Sequence, residues 1–229
     1  MRPRYDEHGL HVNRRFLLET AHRRVGDGAI LDFGCSDSAG IEWGMREGAD
    51  VVGVDISPIV EHPLLRTCTP TTLPFPDSSF DAIVSNMVFE HVMHPLQVLA
   101  ELHRVLRPGG FMIHMWPSSE AVFEGHCRLF FAQNLRSARY LRLCYSLGFG
   151  IRRKKKRTPD DFASKWLRYM EDECNYLPRA ELAALFNAAG FSFEHVERDY
   201  LTYRFGRAPI LGDRLLRKLT TMVILSERR

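Results

Sequence analysis

The chain has 229 residues, a formal net charge of +3, 45% hydrophobic and 26% charged residues, and so falls outside the disordered and fibrous classes. It is long enough to bury a full core as one domain, and no apolar run approaches the ~18 residues needed to span a bilayer. The opening residues Met1 to His8 are polar, without the apolar centre of a signal peptide, and the five cysteines form no C-x-x-C pair. Reduced thiols in a cytoplasmic protein are the expectation.

Leu10 to Val25, with Val12, Phe16 and Leu17 apolar, reads as an amphipathic lead-in helix. After the turn signal Gly26-Asp27-Gly28, Ala29–Phe33 reads as a buried strand. Ile41 to Glu47 is a short helix ended by Gly48, and Val51–Val54 is the next strand. Ser57-Pro58 then opens a helix, since proline is tolerated at the first helical position. Further strands are expected near Leu65–Cys68, at Phe80–Val84 and at Phe111–Met115. A helix from Pro95 to Leu106 stops at Pro108-Gly109-Gly110. This alternation predicts a parallel sheet covered on both faces.

The rhythm fails between Trp116 and Tyr176, a stretch too long for a structureless connection. Residues 117–176 are therefore expected to form a helical lid within a single domain, 1–229. Order returns with a helix over Leu177–Gly190. Strands at Phe191–Val196 and Thr221–Leu225 follow, with a helix around Leu211–Leu219 between them.

The chemistry concentrates where the first strands end. Leu31-Asp32-Phe33-Gly34-Cys35-Ser36 breaks from apolar into small residues, and Val51–Val54 ends on Asp55, 23 positions after Asp32. Small residues let the backbone approach a ligand, and a lone strand-end acid can receive a pair of ribose hydroxyls. The pattern indicates a nucleoside site.

With two further blocks, the chain resembles a class I S-adenosylmethionine-dependent methyltransferase, of the broad group that includes quinone-biosynthesis and small-molecule enzymes. One is Leu73-Pro74-Phe75-Pro76-Asp77-Ser78-Ser79-Phe80-Asp81 running on to Ser85-Asn86. The other is Phe89-Glu90-His91-Val92 with Glu101-Leu102-His103-Arg104-Val105-Leu106-Arg107-Pro108-Gly109-Gly110. The resemblance implies an α/β, Rossmann-like fold: a seven-stranded, mostly parallel sheet with its last strand antiparallel, helices on both faces and a helical lid. The cofactor would be S-adenosylmethionine, with S-adenosylhomocysteine as product. By position, Asp32, Gly34 and Ser36 would lie under its methionine half and Asp55 would hold the ribose. Ser85 and Asn86 would floor the site near the sulfonium, and Ile56 and Thr69 complete the cofactor-binding set.

Two departures stand out. Ser36 and Ser38 replace the second and third glycines of the usual loop, and a side chain at positive φ costs roughly 1–2 kcal/mol. At the adenine end Thr69-Pro70 stand where relatives carry an acid and a useful N–H, and proline has none. They motivate an alternative: an inactive module that kept the fold while its cofactor loop decayed. A nicotinamide oxidoreductase fits poorly, because the pyrophosphate-cradling glycines are missing.

His91 and His126 are the candidate bases, since an imidazole titrates near neutrality. Glu90-His91-x-x-His94 invites a metal reading, but no third ligand is evident and no metal is expected. Cys35 reads as a small buried filler. Between His126 and Arg157 the chain carries ten Lys/Arg and no acid, interleaved with leucines and aromatics. That describes an amphipathic basic helix: a lid over a small-molecule acceptor whose outer face touches an anionic membrane peripherally. Nucleic acid is not expected, as no RNA-binding module accompanies the basic run.

Overall fold

In the computed structural model, which describes residues 3–151, 158–212 and 222–228, the apolar run after Gly28 forms β1 (Ile30–Phe33), buried along its whole length. It lies between β2 (Val51–Asp55) and β4 (Phe80–Asn86), parallel to both, with Asp32 level with Gly53 on one side and Val84 on the other. Outside these come β3 (Leu65–Thr67) on one edge, and β5 (Leu106–Trp116), β9 (Met222–Arg228) and β8 (Phe191–His195) toward the other. The seven-stranded order is β3-β2-β1-β4-β5-β9-β8, and β9 runs antiparallel to both its neighbours. The chain leaves β1 toward β2 and later returns to place β4 on its other side. A crevice opens at such a reversal, beyond the carboxyl ends of the strands.

Helices cover both faces. Phe16 and Leu17 of α1 (Val12–Val25) and Ile41 and Trp43 of α2 (Ala39–Glu47) pack on Ile30, Val51 and Ile113, joined by Tyr200 of α8 (Glu197–Phe205). On the opposite face Leu99 and Leu102 of α3 (Pro95–Val105) and Phe186 of α7 (Arg179–Ala188) meet Leu31, Ile83 and Met112. Each fully buried Leu or Phe contributes about 1.5–3 kcal/mol, so these two apolar layers dominate stability. Gly48 ends α2 in the left-handed conformation at φ 75, as its position after Glu47 foretells.

Residues 117–176 build a body of their own. A hairpin of β6 (Phe123–Glu124) and β7 (Leu129–Phe130) precedes α4 (Ala132–Leu135), α5 (Ala138–Ser146) and α6 (Pro159–Asp172). Thr158 opens α6 with a capping box closed by Asp161. Leu129, Leu141, Phe162, Trp166 and Met170 form a third apolar cluster, separate from the two on the sheet. No described helix is long and apolar enough to cross a membrane, and all five cysteines are free.

Three expectations need correction. Ser57-Pro58 opens no helix: the link from β2 to β3 is short and interrupted again at Pro63, so it runs as bends. A helix forms instead at Glu197–Phe205, where only Glu197 and Leu201 are buried and the apolar stripe is too thin to announce it. The basic amphipathic helix is limited to α5, which ends at Ser146; the run Arg152–Arg157 lies outside the described residues, as does most of the helix expected around Leu211–Leu219.

Candidate active site

Turns that only unusual backbone can make shape the crevice. Gly34 sits at φ +72, and a Cβ there would lie 2.3 Å from Cγ2 of Val88. Both conformation and space therefore require glycine. Ser36 adopts φ 60 and Met87, on the facing wall, φ 59. Left-handed backbone at a non-glycine residue is costly and collects at functional sites. Ser38 escapes this cost: it caps α2 at φ −85 and its hydroxyl donates to Glu42.

Asp55 at the end of β2 is pinned from two sides. Its Oδ2 accepts the Ser36 N–H and its Oδ1 the Ser57 N–H, both at 2.8 Å. A carboxylate offers about four lone-pair sites, so both oxygens keep capacity for further donors. Beside it, Thr69 and Pro70 form a turn that satisfies itself, with the Thr69 N–H bonded to the Thr72 carbonyl at 3.2 Å. The next segment is gripped by Arg104, which donates to the carbonyls of Leu73 and Phe75 and to Asp77 and Glu101. This single arginine explains why the Leu-Pro-Phe block and the Glu-Leu-His-Arg block occur together.

Gly34, Ser36, Asp55, Ile56, Thr69 and His91 all line one cleft of about 840 Å³, together with Met87, Val88, Tyr169 and Glu173. Ligand pockets span roughly 300–1,000 Å³, so the cleft takes a nucleoside with a small second molecule beside it. Free capacity on Asp55, the bare Gly34 backbone and this volume fit S-adenosylmethionine.

Asp32, Ser85 and Asn86 are not among the residues lining the cleft. The Asp32 carboxylate is buried and bonded to Nε of Arg14 at 2.6 Å, while Nη1 of Arg14 holds Asp37 at 2.6 Å. Burial works against the Arg14 charge, but the two aspartates outweigh it and raise its pKa. Gly40 leaves room for this pair, because a Cβ there would lie 2.3 Å from Asp32 Oδ2. Asp32 thus ties α1 to the loop after β1. Ser85 is buried with its hydroxyl 2.6 Å from Nδ1 of His114, and burial lowers the His114 pKa to about 3. Asn86 is half-buried, and its side-chain oxygen is enclosed without a partner.

The far end of the cleft is assembled from distant segments. Phe89–His91 forms a single 3₁₀ turn, and Glu173 to Tyr176 strap across it. The Asn175 N–H meets the Glu90 carbonyl at 2.6 Å, and Nδ1–H of His91 donates to the Glu173 carbonyl at 2.7 Å. His126 lies behind, with its ring centroid 5.5 Å from that of His91 and 5.1 Å from that of Tyr169. Its Nδ1–H donates to Glu124 at 2.7 Å, and Tyr176 donates to the same carboxylate oxygen at 2.9 Å. Burial alone would lower the His126 pKa, but the hydrogen bond and charge of Glu124 raise it. Burial opposes ionisation of Glu124 as well, yet His126 and the Cys127 N–H bring it down to about 2. Glu90 is fully buried and neither carboxylate oxygen has a partner; burial pushes it up to about 8. Cys35 fills space against Gly53, and burial pushes its thiol up, which removes any nucleophilic role.

His91 therefore lines the cleft, whereas His126 stands one ring behind it. His94, at the start of α3, is not part of the assembly: the donor groups that converge are Glu90, His91 and His126. Sequence reasoning passed over Met87, Val88, Tyr169 and Glu173. Met87 and Val88 follow directly on β4 but carry no residue-type signal, and Tyr169 and Glu173 reach the cleft through tertiary packing alone.

Comparison with known proteins identifies the family. A family described as "Methyltransferase domain" matches residues 31–114. Demethylmenaquinone methyltransferase of Thermus thermophilus is 30% identical over 213 residues, covering 86% of this chain and 85% of that protein. The enzyme of the same name from Tropheryma whipplei is 35% identical over 94 residues, and the match spans only 39% of its length. Among solved structures, 1,6-didemethyltoxoflavin-N1-methyltransferase of Burkholderia thailandensis, with bound 1,6-didemethyltoxoflavin and S-adenosylhomocysteine, superposes with a TM-score of 0.53. It shares 18% identity, with 94% of this chain and 77% of that one covered.

Proposed function

The chain belongs to the S-adenosylmethionine-dependent methyltransferase family, and from that premise we propose that it transfers a methyl group to a small, apolar or lipid-like acceptor enclosed by residues 117–176. One observation carries the reading. The cleft that begins at Gly34 and Asp55 continues without interruption to His91, Tyr169 and Glu173, so nucleoside and acceptor positions share one space.

When bound, S-adenosylmethionine supplies an electrophilic methyl group on its sulfonium. Asp55 accepts the ribose hydroxyls, a charge-assisted contact that fixes the sugar. Gly34 lets the main chain lie against the amino-acid end, with Ser36 beside it, and Ile56 and Thr69 flank the base. The strap from Glu173 to Tyr176 closes the acceptor end against water. Most of the acceleration comes from alignment of the two reactants. Where the acceptor arrives protonated, His91 is the base at the cleft wall. His126, made more basic by Glu124, backs it. Ser36 keeps the backbone that glycine would adopt, so the departure strains the turn without closing the cleft.

The acceptor class follows from the insertion. Phe123, Phe130, Phe131, Leu143, Leu147 and Phe149 are all exposed there, near the exposed Arg128, Arg136 and Arg139. Apolar side chains among cations suit peripheral contact with an anionic bilayer from which an apolar acceptor enters. The relative named demethylmenaquinone methyltransferase acts, by that name, on demethylmenaquinone, in keeping with this choice.

Calorimetric titration with S-adenosylhomocysteine tests the core of the proposal. Wild-type protein should bind one equivalent, and Asp55→Ala should weaken binding by about 10- to 150-fold, as loss of charge-assisted bonding worth about 1.5–3 kcal/mol implies. Equal affinity in the variant removes Asp55 from the site.

A further inference from the structure

We infer that Glu90, His91 and His126 form a binding site for one divalent transition-metal ion of the zinc type at the acceptor end of the cleft. One carboxylate oxygen and one ring nitrogen from each histidine lie within 4.8 Å of one another. Tetrahedral bonds of about 2.0–2.2 Å place donors roughly 3.4 Å apart, a contraction that side-chain torsions can supply.

Three independent features fit a cation here. First, Glu90 is fully buried with both carboxyl oxygens unpartnered, and a cation that displaces its proton would give those oxygens the partner they lack. Second, Nδ1 of each histidine is already engaged, by the Glu173 carbonyl and the Glu124 carboxylate respectively. Both partners are acceptors, so Nδ1 carries the proton and Nε2 is left as an unprotonated donor. Metal-binding histidines are oriented in this way by an outer carbonyl or carboxylate. Third, Tyr176 and the Cys127 N–H bind Glu124 in turn, so the outer layer is itself held in place.

Two imidazoles and one carboxylate suit zinc and its first-row neighbours better than magnesium or calcium, which prefer all-oxygen cages. Three protein ligands leave a coordination position open, as in catalytic zinc sites. His91 reaches the cleft wall, so the open position faces the space where the acceptor enters. A hydroxyl, enol or carbonyl oxygen of the acceptor would occupy it, and the metal would orient that oxygen and lower its pKa. This use of the ion rests on the methyl-transfer reading, and with Nε2 of His91 on the metal the ion takes over the deprotonating role given there to that imidazole; the binding of the ion rests on neither.

The test uses chelator-treated full-length protein titrated with Co²⁺, read by its visible ligand-field absorption. One equivalent should bind and be displaced by Zn²⁺. Glu90→Gln, His91→Gln and His126→Gln should each weaken Co²⁺ binding at least tenfold, with cooperative thermal unfolding retained as the check on folding. His91 is exposed, so its variant keeps the test informative if a buried one fails to fold. Absence of binding at millimolar Co²⁺ overturns the site. Binding unchanged in the three variants overturns it too, as does a sulfur-to-cobalt charge-transfer band, which would assign the ion to Cys127 or Cys174. S-adenosylhomocysteine binding by the same wild-type sample separates the two conclusions. Cobalt without the nucleoside upholds the metal site against the transfer reading, and the nucleoside without cobalt does the reverse.

Discussion

The two ends of the cleft are made by different means. At the proposed nucleoside end, backbone shape and one acid define the wall: Gly34 and Ser36 at positive φ, and Asp55 held by the N–H groups of Ser36 and Ser57, all within a stretch of 24 residues (34 to 57). At the proposed acceptor end, Glu90 and His91, on the turn beside the sheet, meet His126, Tyr169 and Glu173 of the insertion, which has its own apolar cluster, across up to 83 residues of chain (90 to 173). A backbone-defined site leaves a compact trace in sequence, whereas an assembled one does not. The first end is thereby fixed by the fold, and the second is free to vary around it.

The largest expected effect tests whether the nucleoside end rests on its buried ion pair. Arg14→Met strands the Asp32 carboxylate, which should lower unfolding stability in urea by about 3–5 kcal/mol. Asp32→Asn should leave S-adenosylhomocysteine affinity within a factor of two, and a loss comparable to that of Asp55→Ala would return Asp32 to the cofactor contacts.

The next effect addresses the insertion. Wild-type protein should sediment with vesicles containing anionic phosphatidylglycerol, and Phe130→Ser should weaken that partition about tenfold or more, since burying such a side chain contributes about 1.5–3 kcal/mol. Partition that ignores the substitution confines Phe130 to a solvated surface.

Acid sensitivity should belong to the sheet. The folded-state pKa of His114 is depressed to about 3, against about 6.5 when unfolded. Below pH 6.5 the unfolded chain takes up a proton that the folded one refuses. Stability from this group is complete above pH 6.5 and falls by about 1.4 kcal/mol per pH unit toward pH 3. His114→Gln should flatten that limb in pH-dependent urea titrations; a parallel curve would deny His114 the role.

The smallest effect sharpens the account of the strained turn. Ser36→Gly should raise stability by about 0.5–1 kcal/mol, because glycine adopts φ 60 without a Cβ penalty. A decrease would mean that the serine hydroxyl makes a contact worth more than the strain.

How far the sequence reveals all this depends on how local each cause is. Ile30–Phe33 and Val51–Asp55 were legible as strands because burial on both faces writes a continuous apolar run. Gly34 and Asp55 were legible as cleft residues because close backbone approach and a strand-end acid carry fixed residue types. That Asp32 holds Arg14, eighteen residues earlier, was not legible, because a strand-end acid looks the same whether it meets a ligand or a buried arginine. His126 could be singled out, but not the contacts that hold it. Glu124 is two residues away and Tyr176 fifty, and only the fold brings Glu90 to them. The insertion was legible as structured from its length, although its hairpin was not, since each strand has two residues and too little pattern to read.

A crystal structure of the protein soaked with S-adenosylhomocysteine is the most direct test of the whole account. Both ribose hydroxyls should lie within hydrogen-bonding distance of the Asp55 carboxylate, with the amino-acid end against Gly34 and the sulfur turned toward His91. A nucleoside bound anywhere else, or a cleft that stays empty at saturating ligand, would contradict it.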